Sequence, residues 1–226
     1  MREIVLDTET TGLNPSIDRL VEIACLELAN RLPTGRRFQA YLNPQCPVPE
    51  QAFAVHGLSN EFLADKPLFG GVAEEFLIFI GEDRLVIHNA EFDLGFINAE
   101  LKRVGREPLP AERALDTVQL ARRKFPGAQA SLDALCRRFG IDNSARDKHG
   151  ALLDAELLAD VYLELVGGRQ GGLDLMKNEQ AADRAASTPD SSGSGPRAAR
   201  PHAPTAAERA AHDALVAKLK SPIWRI

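Results

Sequence analysis

The sequence predicts a mixed α/β fold, a sheet flanked by helices with a flexible tail and one short helix behind it, and three features carry the prediction. The first forty residues are apolar, strand-like runs broken by turn residues. Behind residue 85 a short apolar strand gives way to helical periodicity. From Met176 to Ala214 there is no Leu, Ile, Val, Phe, Tyr or Trp, so nothing in that stretch offsets the entropy of ordering it.

Taken in order, the first strands are expected over Glu3 to Asp7, Arg19 to Leu28 and Arg37 to Leu42. Leu85-Val86-Ile87 is a short buried strand ending at His88-Asn89, and Phe92, Phe96, Ile97, Leu101 and Val104 then trace a helix. Ser131 caps a helix carrying Leu132, Leu135 and Phe139, and Leu152 to Val166 is a strongly apolar helix; no internal repeat occurs. The folded body is expected over residues 1–168 and a flexible linker over 169–204. In the closing segment, 205–226, Thr205-Ala-Ala-Glu208 has the capping-box pattern, and Ala211, Leu215 and Leu219 recur at helical steps. So short a helix is marginal alone, and Trp224, the only tryptophan, lies in its tail; the segment is expected to fold against a partner, or else to pack on its own body.

Composition excludes several classes. With 44% hydrophobic and 26% charged residues in 226, most of the chain can bury a core. No apolar run approaches the roughly 18 residues of a membrane span. Acids interrupt the start, Met1-Arg2-Glu3-Ile4-Val5-Leu6-Asp7, where a signal peptide would be apolar, so export is not expected. Cys25, Cys46 and Cys136 are odd in number and lack C-x-x-C spacing, which suits a reducing cytoplasm rather than a disulfide framework or a zinc knuckle. A formal charge of −5 speaks against the broad basic footprint of a tight duplex-DNA binder, although acids neutralised by bound metal would bring the chain near balance.

Four acids stand where solvation alone does not explain them. Asp7 and Glu9 are two apart at the end of a strand, so alternation puts both carboxylates on one side, where they repel each other unless a cation lies between. Asp93 heads the stripe that continues through Phe96 or Ile97, Leu101 and Val104; Asp154 heads the one through Leu158, Val161 and Leu165. An unpaired ionised acid on a core-facing stripe costs several kcal/mol. Each acid alone has an ordinary reading, as a solvated strand end or a first-turn aspartate stabilised by its helix. Together they ask for a shared counter-charge, for which hard divalent ions, Mg²⁺ or Mn²⁺, are suited. His149, five residues before Asp154, would sit about 140° away on a continuous helix, so it belongs to the loop entering the helix. There it is either a surface residue or a base able to take a proton from water, and His56 is equally ambiguous by itself.

In order, Asp7-x-Glu9-Thr10-Thr11-Gly12, His88-Asn-Ala-Glu-Phe-Asp93 and His149-x4-Asp154 resemble the DEDD exonuclease superfamily, and the histidine five before the last acid marks its DEDDh, DnaQ-like branch. Ala52 to Leu58, Asp116-Thr117 and Ser131 to Cys136 support the resemblance, which covers residues 1–168. It implies an RNase H-like, mixed five-stranded sheet flanked by helices and a two-metal 3′→5′ exonuclease. Carried over, Asp7, Glu9, Asp93 and Asp154 hold two Mg²⁺ or Mn²⁺ ions and His149 is the general base. Thr10, Thr11 and His56 contact the terminal nucleotide with Asp7, Glu9 and Asp154; Gln51, also placed there, stands where relatives carry an acid.

Within that family the chain is most similar to the proofreading members, because the linker and closing segment resemble the tether that binds the α subunit of bacterial DNA polymerase III, Trp224 included. Gln170, Leu173 and Leu175 resemble the short peptide that docks on the β sliding clamp, or mark an ordinary transition from helix to linker; a θ-type subunit is a further implied partner. Single-stranded 3′ ends of DNA are the implied substrate. The rivals are a stand-alone RNA exonuclease of the ribonuclease T or oligoribonuclease type and a non-catalytic subunit that only stabilises the polymerase.

Overall fold

In the computed structural model residues 1–144, 148–167 and 204–218 are described. Strand β1 (Arg2–Thr10) carries Ile4, Val5 and Leu6 in succession, apolar on both sides of the pleat, so both of its faces need cover. It lies at the centre of a five-stranded sheet ordered β3-β2-β1-β4-β5, with β2 (Leu20–Ala29), β3 (Leu32–Tyr41), β4 (Arg84–Ile87) and β5 (Ala114–Asp116). The first three strands form an antiparallel meander; β4 and β5 are parallel to β1. Ile4 and Leu6 point into one core, with Cys25, Phe76, Phe96 and Ile97, and Val5 into the other, with Val86, Leu135, Leu158 and Tyr162.

The helices supply that cover. α1 (Glu50–His56), α2 (Asn60–Leu63) and α3 (Phe69–Ile80) lie between β3 and β4, and α4 (Ala90–Arg103) follows β4. α5 (Thr117–Lys124), α6 (Leu132–Phe139) and α7 (Ala151–Leu165) close the second face, α7 lying across β1 and β2. Ser131 caps α6 by accepting from the Ala134 amide. Arg19 makes a two-pronged ion pair with Glu100, at 2.6 and 3.0 Å, tying the start of β2 to α4. In the second unit of the chain, α8 (Ala206–Val216) has a complete capping box between Thr205 and Glu208, and none of its residues is buried. Among the described residues no helix is long and apolar enough to cross a membrane.

The expected strands and helices form, with two adjustments of length. β1 runs on to Thr10 because its pairing with β2 continues to Leu20, so Asp7 and Glu9 lie within the ladder. β3 starts at Leu32, five residues early; its first residues are exposed at the sheet edge, where Pro33 and Gly35 are tolerated and leave no apolar pattern to read. Sequence reading did not delimit α1, α2, α3, β5 or α5. α2 and β5 are four and three residues long, and β5 is fixed by pairing with β4 rather than by its own pattern. The linker over 169–204, apart from Pro204, and Leu219 lie outside the described residues.

One buried polar pair binds the first strand to the last body helix. Glu3 is fully buried and accepts from the Tyr162 hydroxyl at 2.9 Å; its other oxygen has no hydrogen-bond partner. Replacing Tyr162 by Phe therefore strands a buried carboxylate and is expected to lower stability by about 1–3 kcal/mol in urea unfolding. Adding Glu3→Met should recover most of that loss, and a double-mutant cycle with no coupling would contradict the assignment.

Candidate active site

Each segment that carries an acid reaches the same place for a local reason. The β1 ladder ends in a bulge between Glu9 and Thr10, so Asp7, Thr8 and Glu9 stand at the carboxyl end of the central strand. β4 ends beside them, and Asn89, at φ 69° in the left-handed region that Asn tolerates, turns the chain straight into α4. Asp93 thus falls in the first turn of α4, as Asp154 does in α7.

The four acids line one cleft of about 290 Å³, together with Thr8, His88, Phe92, Ser131, Leu132, Asp133 and His149. Glu9, Asp93 and Asp154 are buried. Ligand atoms of Glu9, His149 and Asp154 all lie within 4.8 Å of one another, a spacing one metal ion can bridge. Asp93 accepts from the Thr8 hydroxyl at 2.7 Å, and burial nevertheless pushes it up to about 7. A buried carboxylate that resists ionisation in one cleft with Asp7, Glu9, Asp154 and His149 is a donor set suited to hard divalent cations, and the residues fit that role.

His149 stands on the loop before α7, its side chain about half exposed. Its amide donates to the Val55 carbonyl at 3.0 Å, and Nδ1 lies 3.1 Å from Asp154 Oδ2. The Asp154 carboxylate can thereby orient the ring and fix its tautomer.

The other expected substrate contacts are not among the residues lining the cleft. The Thr10 hydroxyl donates to the Gly12 carbonyl and the Thr11 hydroxyl accepts from the Arg19 amide, so both shape the turn behind β1. Gln51 is exposed on α1. His56 is buried; Nδ1 accepts from the Leu58 amide, and Nε2 has no hydrogen-bond partner among the described residues. Burial pushes this imidazole below its ordinary range, opposed by the Thr10 backbone. Gln170, Leu173, Leu175 and Trp224 lie outside the described residues.

Sequence reasoning missed His88, Phe92 and Asp133 in the cleft, although all three lie in stretches already singled out. His88 Nδ1 lies 2.9 Å from the Thr117 hydroxyl. It also missed Thr8 as the partner of Asp93, and Glu22. The signal for Glu22 was an acid inside the apolar run Leu20-Val21-Glu22-Ile23.

The profile of the exonuclease family matches residues 4–162. The DNA polymerase III subunit epsilon of Rickettsia felis is 52% identical over 180 residues, 78% of this chain and 79% of that protein. That of Escherichia coli K12 is 46% identical over 187 residues, 79% of this chain and 76% of its own length. Among solved structures, exonuclease X in complex with 5′ overhanging duplex DNA superposes with a TM-score of 0.57 at 27% identity, over 73% of this chain and 90% of that one. The nuclease domain of 3′hExo, a DEDDh family member bound to rAMP, shares the fold, with a TM-score of 0.64 at 17% identity over 73% and 91% of the two chains.

The Asp93 shift gives a testable sign. Its folded-state value lies above the unfolded one, so ionisation is disfavoured by folding, and metal-free protein should lose stability as pH rises from about 4 to about 7. Asp93→Asn should flatten that part of the profile, and saturating Mg²⁺ should flatten it in the parent protein. Thermal unfolding against pH for the three samples measures it; identical slopes would contradict the assignment.

Proposed function

The chain belongs to the exonuclease family, and on that membership we propose that it is the proofreading subunit of a bacterial replicative polymerase, removing mispaired 3′-terminal nucleotides as 5′-monophosphates. The observation that carries the reading is the cleft in which Asp7, Glu9, Asp93 and Asp154 meet beside His149. Relatives named as the epsilon subunit of DNA polymerase III, matched over more than three quarters of their length, support the polymerase role.

In this reading Asp7, Glu9, Asp93 and Asp154 hold two divalent cations, Mg²⁺ or Mn²⁺. Such ions, when bound, supply Lewis acidity and charge neutralisation at the scissile phosphodiester. The chain's own groups do the remainder. His149 takes the proton of the attacking water at Nε2, the ring nitrogen turned away from the Nδ1 contact with Asp154. Thr8 holds Asp93 in one rotamer through its hydroxyl. Thr10 and Thr11, with hydroxyls committed to the turn, serve the terminal nucleotide through their backbone; His56 offers its Nε2, and Gln51 a contact at the outer rim.

The exonuclease domain spans residues 1–168. A linker over 169–204 leads to a segment, 205–226, that binds the polymerase α subunit, with Trp224 as an anchor. Gln170, Leu173 and Leu175 form a weak peptide for the β sliding clamp that gains from being tethered, and a θ-type subunit is a further partner. The setting is the bacterial cytoplasm, at the replisome.

Two variants of the full chain test the division of labour. Asp7→Ala with Glu9→Ala should reduce Mg²⁺-dependent release of 5′-mononucleotides from a mispaired, 3′-labelled primer by at least about 10³-fold, while co-elution with the polymerase α subunit persists. Deleting residues 205–226 should abolish co-elution and leave digestion of free single strands intact. If RNA of equal length is degraded much faster than DNA and no polymerase complex survives gel filtration, the protein is an RNA exonuclease instead.

A further inference from the structure

The acids of the cleft come from segments far apart in sequence, and Glu22 touches the support of two of them. It is opposite Glu9 in the β1–β2 register, and directly opposite residues project from the same face of a sheet. Yet its carboxylate turns to structure rather than to the cleft. Oε2 accepts from the backbone amide of Ala151 at 3.2 Å, and Oε1 accepts from the Gln39 side-chain amide at 2.7 Å. The Tyr41 hydroxyl reaches it as well, and only 2% of the residue is exposed.

Ala151 is the first residue of α7, and its N-cap, Gly150, has no side chain to satisfy the free amides of the first turn. An anion there also meets the positive end of the helix dipole. Glu22 therefore replaces the missing cap from a neighbouring strand. The turn it holds contains Asp154, whose amide closes the first helical hydrogen bond onto Gly150 at 2.9 Å, and which receives His149 at 3.1 Å. A carboxylate on β2 thus fixes how deep and at what rotation α7 enters, relative to the strand that presents Glu9.

We propose that Glu22 is a positioning residue that, by capping α7 from β2, sets the distance between Glu9 and the Asp154–His149 pair and so the site's affinity for divalent metal. It touches neither metal nor substrate. Groups that orient metal ligands from behind typically change affinity by 10- to 100-fold when removed. The inference rests on the nuclease reading of the cleft.

Manganese binding by titration calorimetry, thermal unfolding without metal, and kcat and KM on a single-stranded oligonucleotide are measured on the full chain. Glu22→Ala should weaken Mn²⁺ binding by at least about tenfold and lower kcat, with KM changed less than about threefold. Glu22→Gln, which keeps an oxygen for the Ala151 amide, should return Mn²⁺ affinity to within about threefold of the parent. Gln39→Ala, at an exposed position, removes one donor to Glu22 and the same amide's bond to the Tyr41 hydroxyl, leaves the Ala151 contact in place, and should weaken Mn²⁺ binding in the same direction by a smaller factor; it decides the matter if Glu22→Ala does not fold. Parental Mn²⁺ affinity in Glu22→Ala or Gln39→Ala, or a Glu22→Gln protein as weak as Glu22→Ala, overturns the proposal. If the parent protein itself neither binds Mn²⁺ nor digests the oligonucleotide, the nuclease reading fails instead.

Discussion

Asp7, Glu9, Asp93 and Asp154 share a cleft of about 290 Å³ and repel one another when ionised, and the domain is arranged so that they cannot relieve that repulsion by moving apart. β1 is pinned by a strand on each side, α4 follows β4 after the two-residue turn His88-Asn89, and α7 lies across β1 and β2 with its first amide bonded to Glu22. Asp93 carries a further cost, that of desolvation by burial. It is buried and raised to about 7, although the Thr8 hydroxyl favours its charged form. Such an arrangement persists only where the surrounding packing over-determines it, as two cores on opposite faces of one sheet do here.

That dependence runs through elements distant in sequence, and small polar contacts carry it. Glu3 and Tyr162 join the first strand to the last body helix, and Arg19 with Glu100 fixes the turn behind β1 to α4. Each pair holds together two of the segments on which the acids depend. The stability of the sheet and the geometry of the cleft are therefore one property measured in two ways.

How much of this the sequence discloses depends on what each residue's pattern reports. Asp93 and Asp154 were legible because helical periodicity placed them at the head of a buried stripe, and Ser131 because a cap has a fixed position relative to its helix. Asp7 and Glu9 were legible from alternation. Thr8 was not, since the same alternation points it away, and its bond to Asp93 appears only once α4 is packed against β1. β5 and α2 were invisible because pairing and packing, not local pattern, define elements of three and four residues. The hydroxyls of Thr10 and Thr11 bond within the turn behind β1, because a buried hydroxyl must be satisfied locally, and no sequence pattern reports such a bond.

The closing helix obeys the opposite rule. In α8 the capping box satisfies the first turn, yet none of its residues is buried and Leu215 is 60% exposed. An 11-residue helix that buries no apolar face gains little from propensity and capping, each amounting to about 1 kcal/mol or less against a costly nucleus. Its exposed apolar residue is then the surface on which further stabilisation has to be found. In the proposed setting a polymerase subunit supplies that surface. Binding there would stabilise α8 while the acids of the cleft keep the spacing that β2 and α7 give them, so attachment and chemistry can be lost separately.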